Sequence, residues 1–433
     1  MRRFLALLLL LCSASGAQEA PRPRWTVIHC GTLLADAREA PKAKQTLIVL
    51  NDEVMEVRDG FADPSEFEGA RLVDLSQAFV LPGLIDCHTH ITGEYSADVR
   101  LRRVEQSDAD VAIQATVYAR RTLLAGFTTI RNVGSSGDAA FALRDAISKG
   151  LVPGPRMLVA GESISPTGGH SDGTLGYRED LFDIPGAREG IGDGVAGCRK
   201  AVRAQVKRGA NVIKLTATGG VLSATSAGTE AQFFPDELEA IVQTARQLGR
   251  KVAAHAHGPG GIKAALRAGV DSVEHGTFLD EESLELFKST GAYLVPTLMA
   301  GRDVTLWAEI DGFFPPAVAA KARKVGPQLS NAFGRAVKAG VKVAFGTDVG
   351  VSKHGTNAQE FALMVQAGLK PQQALVAATV NAADLCGLSE QVGTLAPGKQ
   401  ADVIAVAGDP LEDVTELEEV IYVMRAGTEH KAP

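Results

Sequence analysis

Two periods of apolar and polar residues run along this chain, and the change between them divides it. Near the start, Trp25-Thr26-Val27-Ile28-His29-Cys30, Thr46-Leu47-Ile48-Val49-Leu50 and Glu53-Val54-Met55-Glu56-Val57 predict short strands. Asn51-Asp52 and Asp59-Gly60 supply turns between them, and no helix-period stretch interrupts the region before about Val80. The far end repeats the pattern, with strands expected at 401–406 and 420–424 around Gly408-Asp409-Pro410. Strands this short need partners, so the two chain ends are expected to pair into one small sheet domain.

Between the ends, apolar runs alternate with helical stretches. The runs end at His88-Thr89-His90 and continue at 128–131, 156–160, 211–216, 251–255, 272–275, 292–296 and 342–348, eight in all. Helical patterns separate them at about 109–124, 235–248, 262–268, 281–289 and 317–339, with Pro235 suited to a first helical position and Gly249 to a stop. The segment 357–388 reads as further helices packed outside. Eight strands alternating with helices predict an α/β fold, a (β/α)8 barrel with a small β-sandwich domain built from both chain ends. The expected division is 1–17 as a leader, 18–82 and 391–433 as the sandwich, and 83–390 as the barrel, with Leu81-Pro82-Gly83 at the handover. A doubly wound open sheet competes, but no Gly-x-Gly-x-x-Gly follows the first barrel strand, so a dinucleotide site has no support.

Composition narrows the function. With 433 residues, 45% hydrophobic and 22% charged, the chain can bury a large core. A net charge of -7 offers no basic stripe for phosphates, which argues against a nucleic-acid partner. Arg2 and Arg3, the apolar run from Phe4 to Leu11 and the small residues Ser15-Gly16-Ala17 predict a secretory signal peptide cleaved after Ala17, and hence export to a periplasm or medium. The run is too short for a stable membrane span. Lipid anchoring at Cys12 is the weaker reading, because bulky Leu11 precedes it. Cys30, Cys87, Cys198 and Cys386 are widely spaced, without any Cys-x-x-Cys pair, and no disulfide framework is expected.

Polar residues recur where the apolar runs stop. In Leu84-Ile85-Asp86-Cys87-His88-Thr89-His90, strand alternation puts both histidines on one face with Leu84 and Asp86. Alone, such a pair reads equally as half a metal site or as two polar residues at a strand terminus. Lys214, His255, His275 and Asp348 occupy corresponding positions in four other runs. In a barrel those strand ends meet on one face, so six residues of metal-ligand type would converge on one mouth. Each alone has a bland account, a core histidine satisfied by backbone or a lysine paired with Asp348. All six at equivalent strand ends do not. His170, in the glycine-rich loop Ser165-Pro166-Thr167-Gly168-Gly169-His170-Ser171-Asp172, and His257 reach the same side. For each, substrate contact competes with a hydrogen-bonded loop histidine. His354 lies on that side without an assigned role, and His29 and His430 read as structural.

The run from Leu81 to His90 (Leu-Pro-Gly-Leu-Ile-Asp-Cys-His-Thr-His), Ile213-Lys214, His255, Glu274-His275-Gly276, Gly346-Thr347-Asp348 and Gly398-Lys399-Gln400-Ala401-Asp402 resemble the metal-dependent amidohydrolase superfamily. The resemblance covers nearly the whole chain after the leader. Ala217-Thr218-Gly219-Gly220-Val221 and His255-Ala256-His257-Gly258 look like its secreted, prolidase-like dipeptidase and carboxypeptidase branch, which includes ochratoxin-hydrolysing enzymes.

That resemblance implies two divalent metal ions, zinc by ligand type. It implies that His88 and His90 hold the more buried ion, that His255 and His275 hold the more exposed one, and that Asp348 is both ligand and base. It also implies that Lys214, N-carboxylated by CO2, bridges them: an ammonium repels a cation, whereas a carbamate offers an anionic oxygen to each. The implied activity is attack of a metal-activated hydroxide on an amide, releasing the C-terminal amino acid from a dipeptide or N-acyl amino acid, N-acyl-phenylalanines of the ochratoxin type included. Asp348 would serve as general base and then general acid, with His170 and His257 as substrate contacts.

A cyclic-amide or lactone hydrolase would share the same metal core. A deaminase is opposed by Lys214 and by the absence of His-x-x-Glu after His275, and a catalytically inactive binding barrel by the complete ligand set. Similar enzymes assemble into symmetric rings, so a homo-oligomer acting on a small molecule or dipeptide is expected. Specificity is expected in the loops carrying Glu94, Tyr95, His170, Leu222 and Trp307, where Trp307, Phe313 and Phe314 suit an apolar acyl group or, equally, packing.

Overall fold

A computed structural model describes residues 23–223 and 228–433, so the expected leader and Cys12 lie outside the described residues. The chain opens with β1 (Trp25–Leu33), β2 (Lys42–Leu50), β3 (Glu53–Asp59) and β4 (Arg71–Pro82). The middle holds β5 (Leu84–Thr89), β6 (Phe127–Asn132), β7 (Arg156–Val159), β8 (Val212–Thr216), β9 (Lys251–Ala256), β10 (Ser272–His275) and β11 (Tyr293–Val295). It closes with β12 (Val403–Val406), β13 (Tyr422–Arg425) and β14 (Thr428–Lys431).

The two chain ends do pair. They form one seven-stranded mixed sheet in the order β14-β13-β12-β4-β1-β2-β3. Its β2–β3 hairpin turns on Asn51-Asp52, with Asn51 left-handed at φ 57° and Leu50 opposite Glu53. Ile28, Leu47, Val73, Val403, Tyr422 and Met424 bury the common apolar face. The long β4 is not marked by sequence alternation, because Ser76-Gln77 interrupts it. There the β1–β4 register slips, and Gly31 lies so close to the Ser76 carbonyl that a side chain would collide with it.

Two parallel sheets fill the middle, β5-β6-β7 and β11-β10-β9-β8. Strand alternation decides what each covers. Ile213, Leu215, Val252, Ala254, Ala256 and Val273 join the main apolar core under the helices, while Lys214, Thr216, His255 and Glu274 occupy the alternate positions. A parallel bridge from Ile164 to Leu215 links the segment after β7 to β8, and bridges Leu294–Val343 and Thr89–Val349 link residues 342–349 to β11 and to β5. The Cys87, Asp348 and His90 amides donate across this last seam to Phe345, His88 and Val349 carbonyls at 2.9, 2.8 and 2.7 Å.

The eighth apolar run, expected as a strand, is not a regular one. Its Phe345 N–H donates instead to Ala377 O (3.0 Å), and its Val343 carbonyl accepts from Asn381 Nδ2 (2.8 Å), so nearby helical residues take part of its ladder. The expected helices form at Asp108–Leu124, Pro235–Gln247, Pro259–Ala268, Glu281–Thr290 and Pro316–Lys338. Ser107 begins the first with a reciprocal capping box to Asp110. Cys30, Cys87, Cys198 and Cys386 are free and buried. Among the described residues, no helix is long and apolar enough to cross a membrane.

Candidate metal centre

β5 delivers the first candidate ligands. Asp86, Cys87 and His88 are all buried, with Cys87 turned to the apolar cluster that includes Ala382 and Leu385. Asp86 accepts from the His88 amide (3.0 Å), the Thr347 hydroxyl (2.6 Å) and Asn357 Nδ2 (2.8 Å), tying β5 to the segment that carries Asp348. Burial nevertheless pushes its carboxyl up to about 6.

His88, His90 and Asp348 form one cluster, each offering an atom within 4.8 Å of the others. Asp348 Oδ1 lies 3.4 Å from His88 Nε2 and 3.3 Å from His90 Nε2. Both rings are held from behind. His88 Nδ1 is 2.7 Å from Glu274 Oε2 and His90 Nδ1 is 2.8 Å from Gly134 O. Both partners only accept, so Nδ1 donates and each Nε2 presents a lone pair toward Asp348. Glu274 in turn takes Arg131 Nη2 at 2.9 Å and Ser272 Oγ at 2.5 Å, while Arg131 Nε donates to Cys87 O at 2.6 Å. The Arg131–Glu274 pair is almost wholly shut off from solvent, with side chains 1% and 0% exposed.

His255, His257 and His275 form the second cluster, again within 4.8 Å, with ring centroids 4.6, 4.7 and 5.0 Å apart. Plain alternation along β10 would send His275 to the outer face with Val273. A left-handed backbone at His275 (φ 71°) turns it to the mouth instead. Thr297 (φ 53°) and Asp348 (φ 60°) are left-handed too, so three of the six non-glycine residues with positive φ among the described residues stand at this site. Behind the rings are hydroxyls: Thr277 Oγ1 lies 2.7 Å from His257 Nδ1 and Thr297 Oγ1 lies 2.7 Å from His275 Nδ1. His255 is reversed, its Nε2 facing Gly219 O at 3.4 Å, which leaves Nδ1 as its free atom.

Lys214 shares the cavity with both clusters. Its Nζ is buried without a hydrogen-bond partner, as is Asp348 Oδ1, and burial lowers the ammonium to about 8. Burial likewise depresses His88, His255 and His275 well below the ordinary imidazole range and His170 and His257 to about 3. Burial opposes the charge of Asp348, yet His88, His90 and Lys214 bring its carboxyl below the usual value. Neutral imidazoles, a carboxylate and a partnerless amine are a donor set that fits divalent cations of the zinc type.

The structure thus brings His88, His90, Lys214, His255, His275 and Asp348 together with His170 and His257, all lining one cavity of about 170 Å³. His170 reaches it by lying over Gly220, where any side chain would occupy the ring's place, and sits 4.4 Å from the His255 ring. Of the residues expected to set specificity, Leu222 lines the cavity. Tyr95, Trp307, Phe313 and Phe314 pack on one another in an apolar cluster with Val304 and Val325. Glu94 caps the His354 amide at 2.9 Å, and His354 Nε2 binds Gly93 O, away from the centre. His29 bonds Ala62 O in the terminal sheet. Arg131 and Glu274 carried no assigned role in the sequence, although a charge on the inward face of an otherwise apolar strand was the available signal.

The family model described as "Amidohydrolase family" matches residues 79–429. The chain is 33% identical to ochratoxinase of Aspergillus niger, over 94% of this chain and 87% of that protein. The crystal structure of A. niger ochratoxinase superposes with a TM-score of 0.83 at 32% identity, covering 95% and 97% of the two chains. A Xaa-Pro dipeptidase with methionine bound in its active site gives a TM-score of 0.91 at 42% identity, covering 94% of this chain and all of that one. A prolidase complexed with N-methylphosphonate-L-proline gives 0.86 at 31% identity, again over 94% of this chain.

Proposed function

The chain belongs to the amidohydrolase family and is a hydrolase, and from that premise we propose that it is a binuclear metalloenzyme releasing the C-terminal amino acid of dipeptides or N-acyl amino acids. One observation carries the reading: the buried, partnerless Lys214 Nζ shares a cavity with two clusters of three candidate donors each. The similarity to a Xaa-Pro dipeptidase and to ochratoxinase supports the substrate class, N-acyl-phenylalanines of the ochratoxin type included.

His88, His90 and Asp348 would hold one ion, and His255 with His275 the other. Lys214, N-carboxylated by CO2 with loss of a proton from Nζ, would supply the anionic group shared by both clusters. Two divalent cations, zinc by this nitrogen-rich set, would polarise the amide carbonyl and acidify a water. Asp348 takes the proton of the attacking water and returns it to the leaving amine. His257, with Nδ1 accepting from the Thr277 hydroxyl, would offer its Nε2–H to the substrate's developing oxyanion, and His170 would contact the substrate from the opposite loop. The fold beneath this reading is a closed (β/α)8 barrel over 83–390 with a small β-sandwich from 18–82 and 391–433, supported by the bridges on both sides of residues 342–349. Export led by residues 1–17 and homo-oligomeric assembly complete the proposal.

The test is zinc-loaded protein, analysed for metal and challenged with a panel of dipeptides and N-acyl amino acids. About two ions per chain and release of the C-terminal amino acid are expected. Less than about one ion per chain after careful loading, or no amide cleaved anywhere in the panel, would sink it.

A further inference from the structure

The cavity has a second wall that the metal centre does not use. It is a helical hairpin made of the helices Leu298–Trp307 and Pro316–Lys338. The first helix starts straight after the left-handed Thr297, and the buried Glu360 carboxylate fixes that start by accepting the Leu298 and Met299 amides, each at 2.7 Å. The two helices touch backbone to backbone at Gly301 and Gly326. A Cβ on Gly326 would collide with Thr305 Oγ1 and the Gly301 carbonyl, and one on Gly301 would collide with Leu329. Held this closely, the hairpin is a fixed wall rather than a mobile cover.

Among the described residues, only aliphatic groups and bare backbone line that wall: Ala300, Gly301 and Val304 from the first helix, Val325 and Leu329 from the second, with Leu222 beside them. Lys321, on the second helix, is turned to the Gly220 and Ser223 carbonyls at 2.9 and 2.7 Å. The opposite side of the centre differs, for the groove beyond His90 is lined by Arg100, Arg103, Glu162 and Asp172. A charged side chain seated against those aliphatic residues would lose its hydration there. The whole cavity is about 170 Å³, and an apolar void of about 150 Å³ accommodates benzene, so the hairpin side takes no more than one ring.

We propose that the space between the histidines and this hairpin is a side-chain pocket, and that the enzyme selects amides carrying one uncharged aliphatic or single-ring side chain next to the scissile bond, seated against Val304 and Leu329. The inference rests on the amide-hydrolase reading above and narrows it.

Two dipeptide series, Gly-X and X-Gly with X as Ala, Leu, Phe, Asp or Lys, test it on zinc-loaded full-length protein. In at least one series Leu and Phe should exceed Asp and Lys in kcat/KM by about a hundredfold. Val304→Phe should then lower the Phe substrate about tenfold or more relative to the Ala substrate, whereas Leu329→Ala should shift preference from Leu toward Phe. Efficient turnover with a flat or charge-favouring profile, or both variants acting equally on every X, overturns the pocket and leaves the hydrolase reading intact. If no dipeptide is cleaved, it is the dipeptidase part of the reading that falls, and calorimetry with the free amino acids decides the pocket. Leu and Phe binding more tightly than Ala and Lys, and weakened by Val304→Phe, supports it; equal affinities reject it.

Discussion

The two ligand clusters offer similar rings but stand on different supports. Behind His88 lies a buried carboxylate backed by a buried guanidinium, and Asp348 adds a second carboxylate in front. Behind His257 and His275 there are only threonine hydroxyls, and behind His255 a glycine carbonyl. A carboxylate accepting from Nδ1 makes the imidazole a stronger donor to a cation, and a hydroxyl does so less. The difference teaches that one cavity can hold a tight site and a loose one with nearly the same side chains. The first cluster is expected to fill first and empty last.

Lys214→Ala would abolish the comparison, because it removes the group both clusters share. Both ions should be lost and turnover should fall by roughly a thousandfold or more, with partial rescue by a short carboxylic acid; full activity and metal content would show that Lys214 is no ligand. Asp348→Asn keeps the rings and removes the proton carrier, so kcat should drop by about 10² to 10⁴ while metal analysis shows a modest loss.

Glu274→Gln sharpens the contrast. Chelator competition should show the first ion bound about 10- to 100-fold more weakly and the second little changed. Leaving Arg131 buried without an anion should also cost about 3–5 kcal/mol of stability. Adding Arg131→Met should restore the melting temperature without restoring affinity, which separates the two effects. Thr297→Val is the counterpart for the second cluster, expected to weaken that ion by about tenfold and to spare the first.

Acid should destabilise the fold through the buried histidines of the cavity. Burial holds His170 and His257 neutral down to about 3, whereas in the unfolded chain they protonate near the ordinary value of about 6.5. Below that pH the unfolded state binds more protons, so stability falls as pH drops from about 6.5 toward 3, by up to about 1.4 kcal/mol per pH unit for each group. Melting of the metal-free protein against pH checks it, and His257→Gln should flatten the slope.

Strand alternation made the placement of His88, Lys214 and His255 legible, because β5, β8 and β9 are regular enough for period two to hold. Alternation alone would have turned His275 the other way; it was their place at the ends of their runs that put His275 and Asp348 at the mouth, where left-handed backbone aims both side chains. Alternation could not foresee that residues 342–348 would lose part of their ladder to helical residues, which is a tertiary competition for hydrogen bonds. Size alone left Trp307, Phe313 and Phe314 open to an apolar acyl group as much as to packing. They pack with Tyr95, and smaller residues of the same helical hairpin line the cavity.

The sheet built from both chain ends has a kinetic meaning. Val80 lies opposite Ala405 and Leu81 opposite Ile404, partners separated by most of the polypeptide. Loop closure over such a span is slow, and contacts of that separation delay folding. β4 therefore cannot complete its pairing until the last strands have left the ribosome, and β5, one residue beyond Pro82, follows directly from it. A nascent chain stays incomplete at the very strand that carries His88, which suits a protein whose proposed route takes it out of the cell before it finishes folding.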